Sequence, residues 1–193
     1  AIELISPHAL VVDISRGMVL YDKSSAVPQS TPLVGQLMTI VLALENLQPD
    51  QPVTISQDVA MLGESDSRNL GLEAGEQVRV DFLLRALHYN DSETARLALA
   101  EAVSQTEDRF LEQMRSKAQE LGLTATTFTR LPGAEGGLLQ QSTLTDTAVL
   151  LRYALRLPFY QALFHQKTYT HFDLSGGQNY FFNNPLESSW TIW

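Results

Sequence analysis

Apolar residues follow two different periods along the first fifty residues. Residues 9–14 form a short apolar run rich in β-branched side chains, Gly17 lies in a turn-like sequence, and residues 18–23 form a second apolar run. This pattern predicts a β-hairpin. The polar, proline-containing residues 24–32 predict a loop. Apolar residues then recur at helical spacing over residues 33–47, which predicts a central and largely buried helix.

The rest of the chain predicts mostly helices, with strands returning at the end. A short strand at 53–55 and a polar connection at 57–70 precede four predicted helices, which cover residues 80–88, 93–103, a stretch from Thr106 to Gly122, and a stretch from Ser142-Thr143 to Pro158. Residues 168–174 alternate as a strand does. This order predicts an α+β protein with a helical lobe, residues 57–159, inserted into a sheet lobe made of 1–56 and 160–193.

Composition and charge exclude several classes of function. The chain has 193 residues, 44% of them hydrophobic, which is enough to bury a core. The net charge of -9, without any basic run, argues against nucleic acid or an anionic membrane surface as a partner. There are no cysteines, so thiol catalysis, thiolate metal sites and disulfides are excluded. No apolar stretch is long enough to span a bilayer, so we expect no transmembrane segment within this sequence.

Five separated segments carry a family resemblance: residues 9–23, 72–84, 93–101, 117–128 and 142–148. Each segment alone is a weak match, but together they cover nearly the whole chain. In their order and spacing they resemble the serine-type D-alanyl-D-alanine carboxypeptidases, or low-molecular-weight penicillin-binding proteins. The resemblance implies an α+β fold of the β-lactamase and DD-peptidase type. It leaves open that the last strands and the closing helix are missing. It also implies an extracytoplasmic location, in the periplasm or facing the cell wall, and no cofactor.

The motif that carries the nucleophile in that family is altered here. Family members have a sequence close to Pro-Ala-Ser-x-Thr-Lys-Ile-Met-Thr, whose S-x-x-K supplies nucleophile and base. Alignment on Met38-Thr39 places Leu33 at the serine position and Gln36 at the lysine position. Leucine has no nucleophilic atom, and a neutral amide does not accept a proton near pH 7. The resemblance therefore implies a degenerate site.

The other two family motifs are also altered or absent. The S-x-N motif falls on Asp91-Ser92-Glu93, where neither outer residue matches. Two acidic side chains at this place are expected to repel a substrate that ends in a carboxylate. No Lys-Thr-Gly occurs anywhere in the sequence. We expect a loss of catalytic residues across the whole site.

A displaced nucleophile is the alternative that keeps catalysis. Ser30 lies three residues before Leu33, but no lysine or histidine follows it at helical spacing. Ser92 lies between two carboxylates, and His88 is one turn before it. A Ser-His-carboxylate arrangement needs hydrogen-bond geometry that spacing does not establish. The more economical interpretation is that Ser92 or Asp91 is the N-cap of the following helix.

Two further groups of residues have a structural and a functional interpretation. His165, His171 and Asp173 contain metal-binding side chains, but nothing in their spacing brings three ligands together, so we predict no metal site. Tyr180-Phe181-Phe182, with Trp190 and Trp193, form an aromatic cluster that we interpret as core packing against the sheet. The alternative for this cluster is a partner-binding face.

Three hypotheses of function follow. The first is a catalytically degenerate carboxypeptidase-like domain that binds peptidoglycan peptides or a cell-wall protein. The second is an active serine-type D-Ala-D-Ala carboxypeptidase that uses a displaced serine or residues beyond Trp193. The third is a structural module that forms an oligomer or has its sheet completed by a strand from another chain.

Overall fold

A computed structural model describes residues 4–65, 70–129, 140–171 and 180–183. The described residues contain seven helices: Pro32–Asn46 (α1), Gln57–Ser65 (α2), Val80–Asn90 (α3), Glu93–Ser104 (α4), Glu107–Glu120 (α5), Leu144–Ala154 (α6) and Pro158–His165 (α7). They also contain eight strands: Ala9–Asp13 (β1), Met18–Lys23 (β2), Gln29–Ser30 (β3), Pro52–Thr54 (β4), Gln77–Arg79 (β5), Gln141–Ser142 (β6), Thr168–His171 (β7) and Tyr180–Asn183 (β8). The α+β class predicted from the sequence is confirmed.

The strands pair two by two. Strand β1 pairs antiparallel with β2, and the register shifts after Val11, as at a β-bulge. The other antiparallel pairs are β3 with β6, β4 with β5, and β7 with β8. Gly17 turns the first hairpin with a φ of +66°, and a Cβ there would lie 2.9 Å from Cζ of Arg152 on α6. The positive φ favours glycine at this turn, which also lies close to the Arg152 side chain.

Helix α1 is the centre of the core, as its periodicity predicts. Ten consecutive residues, from Val34 to Ala43, are buried. The helix packs against α3, α4, α5 and α6. Pro32 occupies its first turn, where a missing N–H costs nothing. An all-round apolar sequence is stable here because other helices surround it.

Two helices lie where the sequence analysis did not place them. Residues 57–65, predicted as a polar connection, form α2, because Ser56 Oγ accepts a hydrogen bond from the Val59 N–H at 3.1 Å and Val59 is fully buried. Pro158 was predicted only to end a helix, and it instead begins α7 as a first-turn residue. Helix α7 crosses the predicted boundary between the helical lobe, 57–159, and the second part of the sheet lobe, 160–193. The division of the chain into two lobes stays a prediction.

The predicted starts of three other helices are confirmed by their caps. The side chains of Ser92, Thr106 and Thr143 each accept a hydrogen bond from the backbone N–H three residues later. Asp146 also fixes the start of α6 to the preceding loop, because its Oδ2 accepts from Ala125 N–H at 2.9 Å. Among the described residues, no helix combines the length and apolar character needed to cross a bilayer.

The aromatic cluster is part of the core where the structure describes it. Phe182 on β8 is 2% exposed, and its ring lies 6.0 Å from that of Phe82 on α3 and 6.2 Å from that of Tyr169 on β7. Tyr180 also packs edge-on against Phe82. Phe181 points away and is 70% exposed. The core interpretation is thus confirmed for Tyr180 and Phe182, while Trp190 and Trp193 lie outside the described residues.

Candidate functional site

Three segments that are distant in sequence meet at the first turns of α1. The Gln36 amide donates a hydrogen bond from Nε2 to the carbonyl oxygen of Leu87, near the end of α3, at 2.5 Å. Ser30, just before α1, pairs with Gln141 on β6. The residues aligned with the family's first motif are therefore in contact with the segment that leads to Asp91.

The side chains at the nucleophile and base positions have opposite environments. Leu33 is 46% exposed and offers only carbon atoms to the surface of the site. Gln36 is buried, and its amide donates to the Leu87 carbonyl, which also accepts from the Asp91 N–H at 3.0 Å. At this place Gln36 therefore acts as a helix-to-helix link, and the pair Leu33 and Gln36 provides no group that attacks a carbonyl or accepts a proton.

Gly35 and Gln140 form a second contact at the same place. A Cβ added to Gly35 would lie 2.6 Å from Cδ of Gln140, which is shorter than any ordinary carbon contact. Gln140 is 3% exposed, so its side-chain amide occupies space inside the protein against the backbone of α1. Residue 35 has ordinary helical backbone, so its conformation does not call for glycine. The glycine is explained by the packing of Gln140 against α1.

We expect Gly35→Ala to destabilise the protein although alanine is normally the better helix former. The new methyl group overlaps the buried Gln140 amide, and such overpacking costs about 1–3 kcal/mol. In a Gln140→Ala background the same change should be neutral or stabilising by up to about 1 kcal/mol. Urea unfolding of the two single variants and the double variant measures the coupling. Additive effects of the two substitutions would show that Gln140 does not occupy this space.

The residues of the second motif form a helix cap. Asp91 has left-handed backbone, with φ 50° and ψ 42°, and it ends α3. Ser92 is fully buried, and its Oγ accepts a hydrogen bond from the Ala95 N–H at 3.3 Å. The N-cap interpretation of Ser92 is therefore confirmed. Its hydroxyl therefore lies inside the protein and is engaged as a helix cap.

The two acidic residues of the motif are paired with one arginine. Arg96 is the fourth residue of α4. Its guanidinium donates through Nη2 to Asp91 and through Nη1 to Glu93 at 2.9 Å. The Arg96 side chain is 5% exposed. The sequence analysis expected both carboxylates to repel an anionic substrate. One guanidinium offsets only one of the two negative charges, so the repulsion is reduced and its effect on substrate binding stays a prediction.

Neither candidate serine has a base beside it in the part of the chain that the structure describes. The His88 ring packs against the rings of Tyr89, Tyr160 and Phe164 and makes no hydrogen bond to Ser92. No lysine or histidine bonds to Ser30 among those residues. The Ser-His-carboxylate alternative is therefore not assembled in this structure.

A lysine does contact α1, but at the opposite end of the helix. Lys117 on α5 bonds to Glu45 at 2.9 Å and to Glu120 at 2.8 Å. Burial by itself would lower the pKa of Lys117, but the hydrogen bonds to Glu120 and Glu45 outweigh it and raise that pKa above its usual value. Glu45 follows Leu33 by twelve residues, or about 18 Å of helix. Lys117 is therefore a fixed cation in a structural ion pair.

The other candidate ligands are not brought together by the described residues. His165 lies exposed at the end of α7, where its ring packs edge-on against Phe164 with centroids 5.6 Å apart. The His171 side chain and Asp173 lie outside the described residues. The prediction that these three residues hold no metal stays a prediction.

Sequence reasoning missed two residues of the site. Arg96 has a visible signal, since a basic residue three positions after Glu93 on a helix is a common ion pair. Gln140 has no comparable signal, because its packing against Gly35 joins segments more than one hundred residues apart.

Comparisons with known proteins agree with this architecture. The family model described as D-alanyl-D-alanine carboxypeptidase matches residues 1–190. The chain is 30% identical over 154 residues to the D-alanyl-D-alanine carboxypeptidase DacF of Bacillus subtilis, covering 77% of this chain and 38% of that protein. It is also 30% identical over 159 residues to a D-alanyl-D-alanine endopeptidase of Pseudomonas aeruginosa, covering 81% of this chain and 49% of that protein. The chain thus spans less than half the length of these two curated relatives.

Solved structures show the same fold. The D-alanyl-D-alanine carboxypeptidase DacD from Francisella tularensis superposes with a TM-score of 0.77 at 26% identity, covering 88% of this chain and 41% of that one. Penicillin binding protein 5 from Haemophilus influenzae superposes with a TM-score of 0.80 at 23% identity, covering 95% of this chain and 53% of that one. Since the family model matches nearly the whole sequence, the chain belongs to the D-alanyl-D-alanine carboxypeptidase family.

Proposed function

We propose that this chain is a catalytically inactive member of its family that binds a peptidoglycan peptide or a cell-wall protein. We also propose that it acts outside the cytoplasm, as expected for a protein that binds the cell wall. The observation that carries the proposal is at the first motif. Leu33 stands where the family has its nucleophile, and the Gln36 amide bonds to the Leu87 carbonyl where the family has its basic lysine.

The second motif supports the same proposal. Ser92 caps α4 from inside the protein, and the carboxylates of Asp91 and Glu93 are held by Arg96. These contacts occupy the side chains that proton relay and substrate orientation would need. The surface near Leu33 remains accessible for a ligand, because this side chain is nearly half exposed.

Labelling with a fluorescent penicillin tests inactivity. We expect no covalent band above background for the purified protein, because neither Ser30 nor Ser92 has a lysine or histidine bonded to it among the described residues, while an active D-Ala-D-Ala carboxypeptidase run in parallel is labelled. A band that disappears in Ser30→Ala or in Ser92→Ala would instead support the active enzyme with a displaced nucleophile.

Calorimetry tests binding separately from catalysis. We expect heat on titration with a muropeptide ending in D-Ala-D-Ala, and a loss of that heat in Leu33→Asp, which places a carboxylate at the exposed position. Silent titrations at millimolar muropeptide would remove the peptide as ligand and leave a cell-wall protein as the partner.

The structural-module hypothesis has one observation in its favour. Val19 and Leu20 on β2 are 54% and 59% exposed, and β1 and β2 pair only with each other among the described residues. Open, apolar strands are the surfaces on which another chain adds a strand. A molar mass, measured by light scattering, that increases with protein concentration would support this hypothesis. A strict monomer would count against it.

A further inference from the structure

His88 lies near the end of α3 and packs against α7. Its ring is edge-on to that of Tyr160, with centroids 5.5 Å apart and an interplanar angle of 83°, and 6.4 Å from that of Phe164. The Nε2 atom is fully buried and has no hydrogen-bond partner in the part of the chain that the structure describes. In the protonated ring both nitrogens carry a hydrogen, so the Nε2 N–H would be buried without an acceptor.

The charged and titratable groups around His88 are already engaged elsewhere. On α3, Arg85 bonds to Asp81 at 3.0 Å. In the turn that follows α3, Asp91 bonds to Arg96. Within the described residues, no carboxylate bonds to the imidazole. The protonated form of His88 therefore has no ion-pair partner there.

The groups that α7 and α3 present beside the ring are aromatic. Tyr160 and Phe164 contact it from α7, His165 packs on the far side against Phe164, and Tyr89 contacts it from α3. Burial in this apolar setting lowers the pKa of His88 to about 4 from its ordinary 6.5. The site is thus built for a neutral imidazole.

Helix α7 depends on few contacts. Its eight residues bury two side chains, Tyr160 and Leu163. Tyr89 OH donates to the Leu163 carbonyl at 3.0 Å and to the Gln166 carbonyl at 3.4 Å, and the Arg85 guanidinium lies 5.2 Å from the ring centroid of Phe159, so these three contacts join α7 and its end to α3. Helix α3 in contrast buries seven residues in the main core. A charge at His88 should therefore displace α7 before it disturbs α3.

We propose that His88 is an acid-sensitive latch, in which proton uptake by the imidazole releases α7 from α3 while α1 and the main core stay folded. The latch adjoins the candidate site, because the Leu87 carbonyl next to His88 accepts the Gln36 hydrogen bond. The inference rests on the packing of His88 and does not depend on whether the chain is catalytic.

The direction of the pH effect follows from the two protonation states. With α7 closed the imidazole stays neutral, and with α7 open it takes up a proton at its ordinary pKa, so opening becomes easier as the pH falls. The shift from 6.5 to about 4 predicts that the opening constant rises about 20-fold between pH 7 and pH 5.

Hydrogen exchange by mass spectrometry, corrected for intrinsic rates, tests the latch on the whole chain. We expect peptides covering 158–165 to lose protection about 20-fold between pH 7 and pH 5, while those covering 34–43 keep theirs. His88→Phe, which keeps an aromatic ring without a titrating nitrogen, should abolish the change, and the exposed His165→Asn should retain it. Equal loss of protection in both helices, or an unchanged response in His88→Phe, would overturn the proposal.

A second measurement does not require a variant to fold. The His88 ring resonances of the unmodified protein should titrate only below pH 5, and α7 amides should shift together with them. Titration of His88 near its ordinary pKa with α7 still protected would also overturn the latch.

Discussion

Phe182→Ala should be the most destabilising single substitution at the aromatic cluster. Phe182 is 2% exposed and lies between the rings of Phe82, Tyr89 and Tyr169. Truncation of its side chain to alanine therefore leaves a cavity between β8 and α3. Truncation of a buried phenylalanine costs about 3–5 kcal/mol. Proteins of this kind are stable by only about 5–15 kcal/mol, so the effect is a large part of the total.

The neighbouring residue is a matched control for this prediction. Phe181 is 70% exposed on the opposite face of the same strand, and Phe181→Ala should change stability by less than about 0.5 kcal/mol. Phe182→Leu, which keeps most of the volume, should cost less than Phe182→Ala. Urea denaturation with a constant m value measures all three. If Phe181→Ala costs as much as Phe182→Ala, the cluster is not a one-sided core as the structure shows it.

The fold could be predicted from the sequence where burial imposes a period on the side chains. The hairpin at residues 9–23 follows from two short apolar runs on either side of a turn, and helix α1 follows from the helical spacing of its apolar residues. Helices α2 and α7 were missed for local reasons. Ser56 and Pro158 begin helices with few buried residues. Only the cap at Ser56 and the first-turn proline at Pro158 mark these helices in the sequence, because the residues that follow show little apolar periodicity.

Some features of the candidate site could be predicted from a contiguous segment of the sequence, whereas others depend on contacts between residues that are distant in sequence. The altered motif positions, Leu33 and Gln36, could be located because the resemblance aligns a contiguous segment. What those side chains do could not be predicted, since the Gln36 amide bonds to a carbonyl 51 residues away and Gly35 packs against Gln140. Only the tertiary structure shows that the amide links two helices and that the glycine accommodates a buried side chain.

Arg96→Met should destabilise the protein by about 3 kcal/mol, because it removes the cation that holds two carboxylates. Arg96 is 5% exposed, while Asp91 and Glu93 are 38% and 19% exposed. Because Asp91 can be partly hydrated after the substitution, the cost should lie at the low end of the range for broken buried ion pairs. The guanidinium also lies near the positive end of the α4 dipole, so the carboxylates are what make a cation tolerable there.

A triple variant separates the cost of breaking the ion pair from the net stability that the intact pair contributes. In Asp91→Asn/Glu93→Gln/Arg96→Met all three charges are absent, and stability should return to within about 1 kcal/mol of the original protein. Arg16→Met is the matched control, since Arg16 is 76% exposed and pairs with Asp13 at 3.8 Å, and its loss should cost less than about 1 kcal/mol. If the triple variant stays as unstable as Arg96→Met, the arginine stabilises the turn through its packed stem and not through its charge. If it recovers, the cost of Arg96→Met comes from the two carboxylates that are left without a cation, and the intact ion pair adds little net stability.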